Sequence, residues 1–243
     1  MATRAEFLER IRREARRTDG LFSAATATRP ARPEEAAEAV RRQMAERWPE
    51  ALDLFQREFD RVGGVFHRAA DRAEVPSVVL EIAREEGATA VVAWDPAVLG
   101  LDLRPRLVAE GLSVAVAATD PADEAARRRH REESARAQIG VTGADLVLAE
   151  TGTLILLSGR GRPRSTSLLP DTHVAVFDRS RLVESLAQVG ILLEALHVDP
   201  ARSMSGAMIN FITGPSRTAD IELTLTRGVH GPKSVHAIFV AAP

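Results

Sequence analysis

The chain has 243 residues, 45% of them hydrophobic and 27% charged, which is enough to bury one sizeable core. It contains no cysteine, so disulfides, thiolate metal sites, protein-bound iron–sulfur clusters and cysteine nucleophiles are excluded within this chain. A formal net charge of -2 leaves no basic excess for bulk binding of nucleic acid, and the longest apolar runs fall far short of the ~20 residues that a membrane span needs.

Residues 2–17 read as a short amphipathic helix with Phe7, Leu8 and Ile11 on one side, and residues 18–33 as a connector. Glu6 and Glu9 stand among the arginines and no signal-peptide apolar stretch is present, so a cytoplasmic location is expected. Pro33 followed by Glu34 and Glu35 suits a helix start. A helix is predicted to about Trp48, Pro49 is expected to break it, and a further helix is predicted over 50–62 before the Gly63-Gly64 turn.

The pattern then alternates. Strands are predicted over 65–68, 89–94 and 112–118, with helices over 77–86 and 104–110, which implies a parallel sheet with crossover helices. Residues 122–137 form a charged helix whose run Arg127 to Arg131 resembles a nucleic-acid patch in isolation. The carboxylates of Asp123, Glu124, Glu132 and Glu133 lie about a helical turn away, so a solvated, self-paired helix is the better reading.

From residue 139 the character changes. This segment holds 9 basic and 9 acidic residues but 10 of the 16 glycines, so buried strands joined by glycine loops are expected there, and function with them. Strands are predicted over 146–149, 154–157, 172–177, 208–213 and 234–241, and a helix over 181–196. The simplest partition is a helical extension over 1–62 and one α/β domain over 63–243.

Four elements carry candidate chemistry. Glu150-Thr151-Gly152-Thr153 puts a carboxylate between two apolar strands, where desolvation would raise its pKa and suit acid, base or nucleophilic work; a structural glutamate bound to turn amides is the alternative. Arg160-Gly161-Arg162 offers guanidinium groups and glycine amides to a carboxylate or phosphate, or is simply a basic loop. Gly214, Ser216, Arg217, Thr218 and Asp220 suit a short helix whose free amides face an anion, or a capped turn. His230 and Lys233, the only lysine, sit among turn-formers as a general base with a neighbouring charge, or as a solvated loop. The histidines show no metal-ligand spacing, and no metal site is expected.

The order of these elements is more specific than any one of them. Gly143-Ala-Asp145, Glu150-Thr-Gly-Thr153, Gly159-Arg-Gly-Arg162, Ser167-Leu-Leu-Pro170, the run from Gly214 to Glu222 and Gly228-Val-His-Gly-Pro232 together resemble the lactate-utilisation protein C family, the LUD domain. The resemblance implies an α/β fold of the NagB/RpiA/CoA-transferase-like type, a three-layer parallel sheet with helices on both sides. It also implies a role in oxidising L-lactate to pyruvate, with iron–sulfur clusters carried by partner proteins and no cofactor in this chain. The loops would then hold a small carboxylate or phosphate-bearing ligand beside Glu150, with His230 as proton acceptor. Two other classes stay open: a stand-alone acyl- or CoA-transferring enzyme with Glu150 as nucleophile, by analogy of fold, and a non-catalytic module that recruits the iron–sulfur partners.

Overall fold

The computed structural model of the chain describes residues 4, 6, 8–10, 30–117, 123–198, 208–219 and 225–242. It divides into two compact units, Met1–Arg32 and Pro33–Pro243. In the first, Arg4, Glu6 and residues 8–10 are helical. The rest of the predicted 2–17 helix, and nearly all of the connector that follows it, lie outside the described residues.

The second unit is built on a six-stranded sheet in which every neighbouring pair is parallel. Its strands are β1 (Val65–Asp71), β2 (Ala90–Ala93), β3 (Ser113–Val116), β4 (Ile139–Gly143), β7 (Thr172–Asp178) and β12 (Ser234–Ala242), in the spatial order β1-β12-β7-β4-β2-β3. Parallel strands covered on both faces read as near-continuous apolar runs. Strand β7 shows this, with all seven residues buried.

One face is covered by α2 (Val75–Glu85) and α4 (Arg104–Ala109), through a cluster that includes Val79, Ile82, Leu107, Val141 and Ile238. The short α3 (Pro96–Leu99) and then α5 (Glu124–Arg136) complete the crossovers between β2, β3 and β4. Asp123 caps α5 by accepting from the Ala126 amide at 2.8 Å. The expected ion pairs along α5 are not formed among the described residues; the helix is fixed instead by His130 and Ser134, which turn inward onto α6 (Ser165–Leu168).

The other face carries the long helix α1 (Pro33–Arg61) and α7 (Leu186–Val198). With them is a four-stranded sheet, β8-β5-β6-β9, made of Leu182–Val183, Leu146–Leu148, Thr153–Leu157 and Ile209–Ile212. The predicted break at Pro49 does not occur: α1 runs through it. An internal proline costs roughly 3 kcal/mol, and each buried aromatic returns about 1.5–3 kcal/mol. Phe55 and Phe59 are fully buried beyond the proline, with Phe55 edge-on to Phe177 at 5.4 Å, and Trp48 before it stacks on Phe239 at 5.9 Å. Packing on both sides holds the helix together.

Three further expectations change. Strand β4 lies in the middle of the sheet although its two glycines gave it no strand signature; a Cβ on Gly140 would run into the Thr166 carbonyl, so the sequence keeps glycine there. The predicted 181–196 helix begins late, because Arg179–Arg181 form a 3-10 turn and Leu182–Val183 a strand before α7. The predicted short helix after Gly214 is a strand, β10 (Arg217–Ala219), paired antiparallel with β11 (Leu225–Arg227).

Candidate functional site

The strand order changes direction between β2 and β4. From β2 the chain moves outward to β3, whereas from β4 it proceeds by way of β5 and β6 to β7 on the other side. Adjacent strands whose continuations diverge leave a crevice at their carboxyl ends, the favoured ligand position of open α/β sheets. Trp94 and Asp95 follow β2 at this point, and Ala144 and Asp145 follow β4.

The loop after β6 is bound into that crevice. Asp95 donates its amide to the Gly161 carbonyl at 3.0 Å, and the Trp94 indole N–H donates to the Pro163 carbonyl at 3.3 Å. Asp145 accepts from the Leu157 amide at 2.7 Å and from Arg162 Nη1 at 2.6 Å, while the Arg162 guanidinium lies 5.8 Å from the Trp94 ring centre. Arg162 is thereby fixed by one ion pair and one cation–π contact.

A second pair of arginines comes from the end of β7. The buried Asp178 carboxylate accepts from the Ser180 amide and hydroxyl and from Arg72 at 3.2 Å, which shapes the 3-10 turn that presents Arg179 and Arg181. Arg179 lies over Trp48 at 6.0 Å. Arg162, Arg179, Arg181 and Trp48, with Arg160 and with Arg41 from α1, line an open cleft of about 1040 Å³. Its remaining wall is apolar and includes Val40, Met44, Leu157, Leu192 and Leu196. Arg41 pairs with Glu38, but among the described residues neither Arg160 nor Arg181 has a carboxylate partner. The cleft therefore presents five arginines against one carboxylate, a field suited to an anion.

Of the residues singled out in the sequence, only Arg160, Gly161 and Arg162 belong to this place. Glu150 is exposed on a 3-10 turn rather than desolvated between strands, and its carboxylate accepts from the Leu186 amide at 2.6 Å, capping α7. It stands before β6 and Arg160 follows it, so roughly 15 Å of strand separates them. Gly152, at φ +61°, lets the turn lie against the α1 backbone at Glu58 and Phe59, where no Cβ fits. Thr151, Thr153 and Thr213 join in a chain of hydroxyl contacts at 2.7 and 2.8 Å.

The other two loops gather at the opposite, amino-terminal edge of the large sheet. Ser216 donates its amide to the Pro232 carbonyl, Arg217 donates to the Val62 carbonyl at 2.6 Å, and Gly214 lies against that same carbonyl. Thr218 is in β10, Lys233 pairs with Asp171 at 3.0 Å, and His230 is exposed. Asp220 lies outside the described residues. The Thr151–Thr153 turn meets the first of these loops, since Thr153 bonds Thr213 and both Gly152 and Gly214 lie against the end of α1 and Val62, but the Glu150 carboxylate bonds the start of α7 instead and Arg160 and Arg162 lie apart at the cleft. The residues missed in the sequence are Asp145, Arg179, Arg181, Arg41, Trp48 and Trp94. A signal existed for two of them: Asp178-Arg-Ser-Arg181, an Asx-type cap with arginines two apart directly after a buried strand, repeats the spacing of Arg160-Gly-Arg162.

The family model for the LUD domain matches residues 52–240. The chain belongs to the LUD domain family. A lactate utilization protein C of Geobacillus sp. (strain WCH70) is 33% identical over 179 residues, covering 69% of this chain and 68% of that protein. The protein of the same name from Shouchella clausii is 37% identical over 172 residues, covering 67% and 69%. That of Halalkalibacterium halodurans is 48% identical, over a stretch that spans 43% of its length. Among solved structures, a DUF162 family protein from Deinococcus radiodurans shares the fold with TM-score 0.53 at 20% identity, covering 79% of this chain and 98% of that one. No helix among the described residues of this LUD-domain chain is long and apolar enough to cross a membrane.

Proposed function

We propose that this LUD-domain protein is a cytoplasmic component of an L-lactate utilisation system that oxidises L-lactate to pyruvate together with iron–sulfur partner proteins. The family match to proteins named for lactate utilisation carries this reading. Because the chain has no cysteine, thiolate-held clusters would belong to the partners, and this chain would contribute a ligand site and docking surfaces. The arginine cleft beside the carboxyl ends of β4, β6 and β7 is proposed as the site for a carboxylate or phosphate-bearing ligand.

Deleting the gene from a host with no second lactate dehydrogenase should abolish growth on L-lactate as sole carbon source while leaving growth on pyruvate intact. Normal growth on L-lactate would remove the reading. Affinity purification of the tagged chain from lactate-grown cells should bring down proteins with bound iron and acid-labile sulfide.

A further inference from the structure

The reading of the cleft as the ligand site is the starting point here, and its size and charge narrow the ligand. L-lactate carries one negative charge and occupies on the order of 100 Å³, the room of a few waters. The cleft is about 1040 Å³, so lactate would fill about a tenth of it. A single carboxylate also engages one guanidinium in bidentate fashion. Here two arginines without carboxylate partners come from different segments, Arg160 from the loop after β6 and Arg181 from the turn after β7.

The two basic walls are built rather than incidental. Each is a pair of arginines two residues apart, and each is set by a carboxylate: Asp145 bonds the β6 end and Arg162, and Asp178 caps the turn that carries Arg179 and Arg181. The rest of the lining is more apolar, with Val40 and Met44 beside Arg41 on α1 and Leu192 and Leu196 on α7. The cleft thus offers guanidinium groups to several negative charges and apolar surface to an organic body.

We infer that the cleft binds an organic diphosphate, a molecule carrying two linked phosphates on a larger, partly apolar body, and that L-lactate itself is not its ligand. The phosphates would lie between Arg160 and Arg181, with Arg162 and Arg179 beside them, and the organic body along α1 and α7.

The test is calorimetric titration of the purified full chain, at fixed ionic strength, with ADP, coenzyme A, inorganic pyrophosphate and L-lactate as probes. The expected result is saturable binding of ADP or coenzyme A, at least tenfold tighter than pyrophosphate, with no saturable binding of L-lactate. In the Arg160→Gln/Arg181→Gln protein that binding should weaken by at least tenfold. Both side chains are exposed, so the variant is expected to melt as the parent does; if it does not, each single substitution is titrated and should weaken binding at least threefold. The inference is overturned by saturable L-lactate binding that the arginine substitutions remove, by absence of binding for both organic diphosphates, by binding that the substitutions leave unchanged, or by pyrophosphate binding as tightly as either. Growth of the deletion strain on L-lactate would sink the pathway reading and leave a positive titration standing. A null titration would leave the growth phenotype untouched.

Discussion

The two edges of the large sheet use polar residues in opposite ways. At the amino-terminal edge, Arg217 bonds a backbone carbonyl, Lys233 bonds Asp171, and the loops around 214–217 and 228–233 bond each other. At the carboxyl edge, Asp145 and Asp178 spend their hydrogen bonds on holding arginines in place, and Arg160 and Arg181 still face open space. A basic residue in a glycine loop can therefore serve closure or recognition, and the difference lies in whether its charge is already met.

The edges should also differ in their response to acid. His173, His236 and His67 lie near the amino ends of β7, β12 and β1. Burial lowers His173 to about 3, with His236 adding to the effect, and lowers His236 to about 4, with His67 adding to it. Burial also lowers His67, against the opposing pull of Glu85 and Glu81, and lowers His130. The rings are thus neutral near pH 7, and the 4.0 Å approach of His236 to Glu86 is not an ion pair. The unfolded chain takes up protons near pH 6.5, whereas the folded chain holds out to lower pH. Stability from these groups is therefore complete above about pH 7 and is lost as pH falls from 6.5 toward 4. The loss by pH 5 is on the order of 2 kcal/mol for each of His173 and His236. This is the largest effect expected, read from urea midpoints at pH 7 and pH 5. A His236→Gln protein whose midpoint falls as far as the parent's would remove that residue from the account.

Asp178→Ala should come next, because it strips the Ser180 contacts and leaves Arg72 without its carboxylate. A loss of roughly 2–3 kcal/mol is expected for breaking a largely buried pair with part-exposed arginine. Ligand affinity should fall as well, since Arg179 and Arg181 lose their template. Stability loss with affinity intact would separate the turn from recognition and blur the contrast between the edges.

Glu150→Ala should cost about 1 kcal/mol, the usual value of a helix-capping acceptor, seen as a lower melting temperature with cleft binding unchanged. An affinity loss at the cleft would mean that α7 transmits the cap to its Leu192 and Leu196 wall. The smallest effect is expected for Lys233→Ala, under about 1 kcal/mol for an exposed pair, again with binding unchanged. A tenfold affinity loss there would make the amino edge a second recognition surface.

Much of the fold is legible in the sequence because β2, β3, β7 and β12 are mainly apolar runs and helices of crossover length separate the first strands. Strand β4 escapes notice because Gly140 answers a tertiary demand, the nearby Thr166 carbonyl, and no local signal announces it. Helix α1 escapes because core packing across Pro49 outweighs a local penalty. The site is half legible for a related reason. Arg160 and Arg162 stand out by composition, but Arg179 and Arg181 come to them only through the order in which β4 and β7 join the sheet. Glu150 and His230 draw attention by residue type, and their use is fixed by neighbours far along the chain or by none.

The near-exclusive use of arginine has a practical consequence for chemical labelling. Lys233 is the only lysine, and it lies beside Asp171 at the edge away from the cleft. An amine-reactive dye placed on it would report on the molecule without touching the arginine walls, whereas an arginine-directed dicarbonyl would modify exposed arginines over the whole surface, those of the cleft among them. Protection of Arg160 and Arg181 by a bound ligand, read peptide by peptide against the arginines outside the cleft and with the lysine label as internal standard, would map occupancy without any mutation.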